Sequence, residues 1–315
     1  MSVFLAWRLL TFLITVSGAS VFIFLLLEVL PGDPALTMLG VDAPESAIKA
    51  IRLELGLDRP ALVRYVEWIV GLLQGEMGNS YVYKVPVADL IGQRLQVTLP
   101  LSIGAMLVAT LVALSLGIFA ATNHNRVGDY GVMGFSQLGL AIPDFWFGIL
   151  LIILFAVIFQ WLPSGGFPGW DEGIWRGVRS LILPILTLSL SLTAVMTRVT
   201  RSSVLEEAQE DYVRTARAKG LSQRAALWGH VLRNALVPVL TIGGLLVATV
   251  VTGTLVIENV FALPGLGKLI FDAISNRDLM VVKNLVLLFA AIVVFVNFVV
   301  DILYALVDPR IRIHT

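Results

Sequence analysis

Six long apolar runs alternate with polar segments along the chain, covering Leu9–Leu30, Leu99–Ala121, Gly134–Trp161, Leu181–Thr197, Leu236–Ile257 and Leu285–Tyr304. A helix that crosses the hydrocarbon core needs about 20 mostly apolar residues, and every run falls in the accepted range or exceeds it. Each run is apolar around its whole circumference, which excludes amphipathic helices lying on a membrane surface. The pattern predicts an all-α integral membrane protein with six transmembrane helices. Arg8 precedes the first run as the basic residue of a secretory signal would. That run is longer than the ~7–15 apolar residues of a signal, and no small-residue cleavage site follows it, so an uncleaved span is expected.

Two polar segments are long enough to hold structure of their own. In the segment Pro31–Thr98, Ala47, Ile48, Ile51 and Leu55 keep helical spacing, as do Leu62, Tyr65, Val66, Ile69 and Leu73, with Gly56 and Pro60 between the two sets. Two short amphipathic helices are expected there, followed by an ordered loop over Gly75–Val87. Such a region either caps the bundle or helps to dock an external partner. The second segment, between the fourth and fifth runs, has good helix formers from Val204 to Lys219, then Gly220 as an interruption. Ser222 is placed to cap a second helix that runs to Asn234, and Pro238 restarts the chain into the membrane. A helix, a tight turn and a helix are predicted. The chain divides on this reading into a first span with its long loop, 1–98, and a five-helix core, 99–315, that contains the charged loop 201–235.

Composition agrees with the bilayer. Hydrophobic residues make up 57% and charged residues only 14%, against roughly 25% charged in a soluble domain. Mean hydropathy is +0.89 and the pI is near 6.8. With zero formal net charge, no bulk electrostatic partner such as nucleic acid is indicated. The absence of cysteine removes disulfides, thiolate chemistry and cysteine-type metal sites. If the N-terminus is inside, the inner segments carry eleven Lys and Arg, against five in the two shorter outer segments. The first outer loop is too long to weigh fully in that comparison, so both termini are expected in the cytoplasm.

Candidate chemistry is sparse. Gly267-Lys268 has the ending of a phosphate-binding loop, yet Ala262 stands where that motif needs glycine and Leu269 where it needs Ser or Thr. No nucleotide site is expected. The three histidines, His124, His230 and His314, are far apart in sequence and do not suggest a zinc site. Acids in apolar runs are costly and mark functional candidates. Glu28 and Asp301 lie near run ends, whereas Asp144 is deepest and follows Pro143, which is expected to kink its helix. Asp144 either lines a translocation path, with Phe145 and Trp146 beside it, or bonds a neighbouring helix. An ion-coupled secondary transporter remains a distant alternative, because no internal repeat is visible. An intramembrane enzyme lacks a nucleophile and base pair within the runs.

The charged loop resembles the EAA loop of ABC importer permeases. Against the general pattern, Arg214, Thr215 and Ala216 take the first three places and Gly220 the glycine, with Leu232 at the later leucine. YVRTARAKGL at Tyr212–Leu221, followed by HVLRNALVP, is similar to the variant found in dipeptide and oligopeptide permeases. The likeness extends to LPGDPA at Leu30–Ala35, LGLDRP at Leu55–Pro60, IPDFWFG at Ile142–Gly148, IENVFALPGLG at Ile257–Gly267 and LVDPRIR at Leu306–Arg312. These five motifs, in order, and the long first loop resemble the first of the two permease subunits of peptide importers.

The resemblance implies a type I ABC importer transmembrane domain in a bacterial inner (cytoplasmic) membrane. It implies a second homologous permease subunit, two cytoplasmic ABC ATPase subunits and an extracytoplasmic solute-binding protein as partners. ATP and Mg would bind to the ATPases, with no cofactor in this chain. Arg214, Thr215, Ala216, Arg217, Ala218, Lys219 and Gly220 would form the loop that couples to them. Di- or oligopeptides lead among substrates, with glutathione, nickel chelates, opines and sugars as alternatives within the same architecture.

Overall fold

The computed structural model describes residues 2–29, 34–39, 43–54 and 56–307. In chain order the helices are α1 (Ser2–Val29), α2 (Pro34–Leu39), α3 (Glu45–Glu54), α4 (Ala61–Gln74), α5 (Val87–Thr122), α6 (Val127–Ala141) and α7 (Asp144–Leu151). They continue with α8 (Ile174–Glu207), α9 (Asp211–Ala218), α10 (Gln223–Ala226), α11 (Leu232–Val260), α12 (Leu266–Ser275) and α13 (Leu279–Val307). Wider π-helical turns extend α7 over Ile152–Ile158 and join α10 to α11 over Leu227–Val231. No strand occurs among the described residues, apart from an isolated bridge between Asn79 and Pro86. Five helices there are long and apolar enough to span a membrane, or six if a bent pair counts as one span.

That pair is the predicted third span, and it is more than kinked. A proline lacks the N–H of a helical bond and excludes the helical conformation from the residue before it. Ile142 is accordingly extended at φ −85° and ψ 123°. The apolar run is therefore broken between α6 and α7, which meet at 102°.

Two further expectations need correction. A single helix over Val204–Lys219 does not form, because α8 ends at Glu207 and α9 begins at Asp211. Glu206, Glu207 and Glu210 disfavour the negative end of α8, while Asp211 favours the positive end of α9. Pro238 does not restart the chain, since it lies inside a helix continuous over Gln223–Val260. Proline is tolerated within membrane helices where neighbours or local adjustments satisfy the freed carbonyl. The short helix α12, on the ALPGLG motif, was not foreseen.

The chain forms two compact units. The first comprises Met1–Thr98 and Pro264–Phe298. Its apolar core joins Ile23 and Phe24 of α1, Trp68 of α4 and Leu287 of α13. The Phe24 ring meets Tyr65 at 5.4 Å, and the Tyr65 hydroxyl bonds with Ser20 Oγ at 2.9 Å. Trp68 Nε1 donates to Asn284 Oδ1 at 3.0 Å, and Asn284 Nδ2 in turn donates to the Met77 carbonyl at 2.8 Å. Buried Asp278 accepts from Ser80 Oγ at 2.5 Å, from Val82 N at 3.2 Å and from Val281 N at 3.2 Å. One carboxylate thereby caps α13 and pins the Gly75–Val87 loop, which the sequence predicts to be ordered.

The second unit comprises Leu99–Leu263 and Val299–Thr315. Here α8 is the central element, packed by α6, α7 and α11. Small residues allow the close approach. A Cβ on Gly253 would come within 2.5 Å of Leu188 Cδ1, the kind of helix contact that apolar membrane interiors favour.

Candidate functional site

The predicted coupling loop is held from behind and open in front. Val213 is buried among Ala121, Val204, Ala226, Val231, Leu232 and Ala235, so α9 is fastened to the ends of α5, α8 and α11. Full burial of such a side chain is worth roughly 1.5–3 kcal/mol. A polar clasp adds to it. The Tyr212 hydroxyl bonds to Glu207, and Asn234 Nδ2 donates to Glu207 Oε1 at 3.0 Å and to the Tyr212 oxygen at 2.9 Å. Partial burial, and then the bond to Glu207, push the Tyr212 phenol up to about 12, so it remains a donor at neutral pH.

The turn itself has defined chemistry. Leu221 N bonds the Ala216 carbonyl and Gly220 N the Arg217 carbonyl, the crossed pair that closes a helix over a left-handed residue. Gly220 is that residue, at φ +98°. Ser222 Oγ then accepts from Ala225 N at 3.3 Å and caps α10, as the sequence predicts. Arg214, Thr215, Arg217, Ala218, Lys219 and Gly220 are exposed and Ala216 is half-buried. Arg214 pairs with Asp211 at 3.4 Å, but both side chains are largely in solvent, where such a pair contributes less than about 1 kcal/mol. The structure thus brings the seven predicted residues into one knob, with Arg217 and Lys219 exposed on it.

Asp144 opens α7 at the break. Its Oδ2 accepts from Ser191 Oγ of α8 at 3.2 Å, while its Oδ1 is buried without a hydrogen-bond partner. Of the two sequence alternatives, the bond to a neighbouring helix is present, and one carboxylate oxygen is left over. Phe145 and Trp146 are each 47% exposed and form no enclosed cage with it. Ser191 carries no sequence signal beyond lying in an apolar run.

A pair between the first turn of α6 and the C-terminal part of α8 lies outside every sequence motif. Asp129 accepts from Arg201 Nε at 2.5 Å and from Arg201 Nη2 at 2.7 Å, and Asn125 N donates to it at 3.0 Å. Opposite charges flanking two different apolar runs were the available signal.

Comparison with known proteins decides the class. A family model described as the binding-protein-dependent transport system inner membrane component matches residues 113–313, and its N-terminal companion matches 1–102. The chain belongs to this family of transport permeases. It is 40% identical to a probable peptide ABC transporter permease of Sinorhizobium fredii, over 99% of this chain and 100% of that one. It is 41% identical to a di/tripeptide transport permease of Pseudomonas aeruginosa, over 98% of each chain. A glutathione transport permease of Salmonella choleraesuis is equally similar, at 41% over 97% of each. In fold, the chain resembles the MetNI methionine ABC transporter in an inward-facing form, with a TM-score of 0.57, 16% identity and coverage of 70% of this chain and 96% of that one. The predicted all-α membrane fold and the predicted permease family both stand.

Proposed function

We propose that the chain is one of two permease subunits of an ATP-driven peptide importer in a bacterial inner membrane. Both termini lie in the cytoplasm, two ATPase subunits grip the α9–α10 knob, and a binding protein delivers substrate from the other side. ATP and its Mg sit on the ATPases, where hydrolysis takes place. The observation that carries this reading is the knob, an exposed basic helix end closed by Gly220 and fastened through Val213 to the spans. ATPase closure displaces α9, and the Val213 cluster passes that displacement to α8, around which the second unit is packed. Asp144, at the start of α7 and bonded to Ser191 of α8, meets a cationic group of the passing solute, such as a peptide amine.

Small peptides are the substrate class supported by the names of the two peptide-transport relatives, and the glutathione relative transports a tripeptide. The test is uptake of labelled peptides into proteoliposomes that hold the full complex. Uptake should require internal ATP, compete with other short peptides and persist without ion gradients. Uptake that follows an ion gradient without ATP would overturn the reading.

A further inference from the structure

The first unit holds a cleft of about 350 Å³ between α1, α4 and α13, lined by Phe24, Arg64, Trp68, Tyr81, Met280 and Lys283 among others. Its lining also carries Glu67 and Glu76, yet one cation is left without a carboxylate. Lys283 Nζ stands 5.1 Å from the Trp68 ring centroid and has no carboxylate partner among the described residues. Arg64 gives one nitrogen to Glu28, but its Nε is buried without a hydrogen-bond partner. Arg59, by contrast, is occupied by Glu67 at 2.7 Å. An ammonium withdrawn from water without a carboxylate is costly unless an anion meets it.

The place of the cleft in the fold says which anion. Phe24 and Glu28 lie in the last turns of α1, and Lys283 lies in the second turn of α13, so the cleft is at the level of the span ends, where phospholipid headgroups lie. Phe22, Leu25 and Leu26, in the same turns of α1, are exposed large apolar side chains. We propose that this cleft binds the phosphate of an anionic phospholipid, with Lys283 and Arg64 as its cationic partners and the acyl chains along the exposed side of α1. Tyr81 supplies a hydroxyl donor. Burial, and then the neighbouring Asp278, push its phenol up to about 12, so it keeps its proton. Trp68 fixes the ammonium on its ring face.

Native mass spectrometry of the purified full-length chain, titrated with phosphatidylglycerol or phosphatidylcholine, tests this. Wild type should retain one phosphatidylglycerol about tenfold or more tightly than Lys283→Gln, the worth of a charge-assisted bond. Lys283→Arg should retain it, and phosphatidylcholine should not distinguish the variants. Elution volume and helical circular dichroism report whether each variant folds. Should Lys283→Gln fail to fold, Tyr81→Phe should weaken retention about threefold. Equal retention by wild type and the folded variant overturns the site. Inorganic phosphate that protects against heat as well as phosphatidylglycerol does, in a Lys283-dependent way, overturns the lipid assignment.

Discussion

Asp129 and Arg201 form a two-pronged ion pair, with the carboxylate 1% exposed and both guanidinium contacts at 2.5–2.7 Å. The pair ties the first turn of α6 to α8 one turn before Val204, the residue that helps to hold α9. His124 Nδ1 lies 3.1 Å from Arg201 Nη2 and 3.3 Å from Asp129 Oδ2, within reach of both members of the pair. Truncation of one member strands the other charge. Asp129→Leu or Arg201→Met alone should each cost about 3–5 kcal/mol, whereas the double substitution should cost clearly less than their sum. Heat-dependent loss of monodisperse protein in detergent measures this, and strict additivity would show that the pair is not energetically coupled.

Gly220 separates a backbone requirement from a docking one. No heavy atom lies within 4 Å of the place where a Cβ would stand, so a side chain meets no obstacle inside the chain. Its only intramolecular cost is the left-handed conformation, about 1–2 kcal/mol for a β-branched residue. Gly220→Val should therefore leave all spans inserted while co-purifying ATPase falls at least about tenfold, since tight interfaces do not absorb misplaced volume. Gly220→Asn, which tolerates the left-handed region, should bind ATPase better than Gly220→Val does. Full ATPase retention by Gly220→Val would separate the turn from coupling. Charge reversal at Arg217 or Lys219 should give a weaker, salt-sensitive defect.

Asp144→Asn removes a charge and keeps an acceptor for Ser191 Oγ, which donates to the carboxylate at 3.2 Å. Assembly should therefore be preserved while kcat/KM for peptide uptake falls about tenfold, the worth of one charge-assisted bond. Ser191→Ala should have a smaller effect, because the carboxylate remains. Lower complex yield with normal uptake per assembled complex would assign Asp144 to helix packing alone.

How much could be read ahead depended on the range over which each feature acts. The spans follow from runs of about 20 apolar residues, a local property, and so do the amphipathic helices on either side of Gly56 and Pro60. The Gly220 turn and the Ser222 cap were legible because each rests on bonds that reach only three to five residues. Pro143 marked a disturbance, but the size of the 102° break between α6 and α7, both of which pack on α8, is not encoded in a local pattern. The pairs Asp129–Arg201 and Trp68–Asn284 join residues 72 and 216 positions apart. Composition reveals that such residues exist and not that they meet. The break at Ala208–Glu210 was readable in principle, since a run of acids at a helix C-terminus opposes the dipole.

Orientation is open to a direct chemical test because the chain has no cysteine of its own. Probe positions must be exposed and tolerant. Ser46, Ser164 and Asn276 satisfy this on the side assigned to the exterior, and Arg126 and Gln223 on the side assigned to the cytoplasm. Gly165 does not, because a Cβ there would lie 2.3 Å from the Phe261 carbonyl oxygen. Asn125 is likewise avoided, since it holds φ 60° and gives its backbone N–H to Asp129. Single cysteines at the first three positions should react with an impermeant maleimide in intact spheroplasts, and the other two only after permeabilisation, as the excess of basic residues near Gln223 requires. The α9–α10 knob must share the compartment of the ATPases to couple to them, so labelling of Gln223→Cys in intact cells would remove the coupling proposal together with the topology.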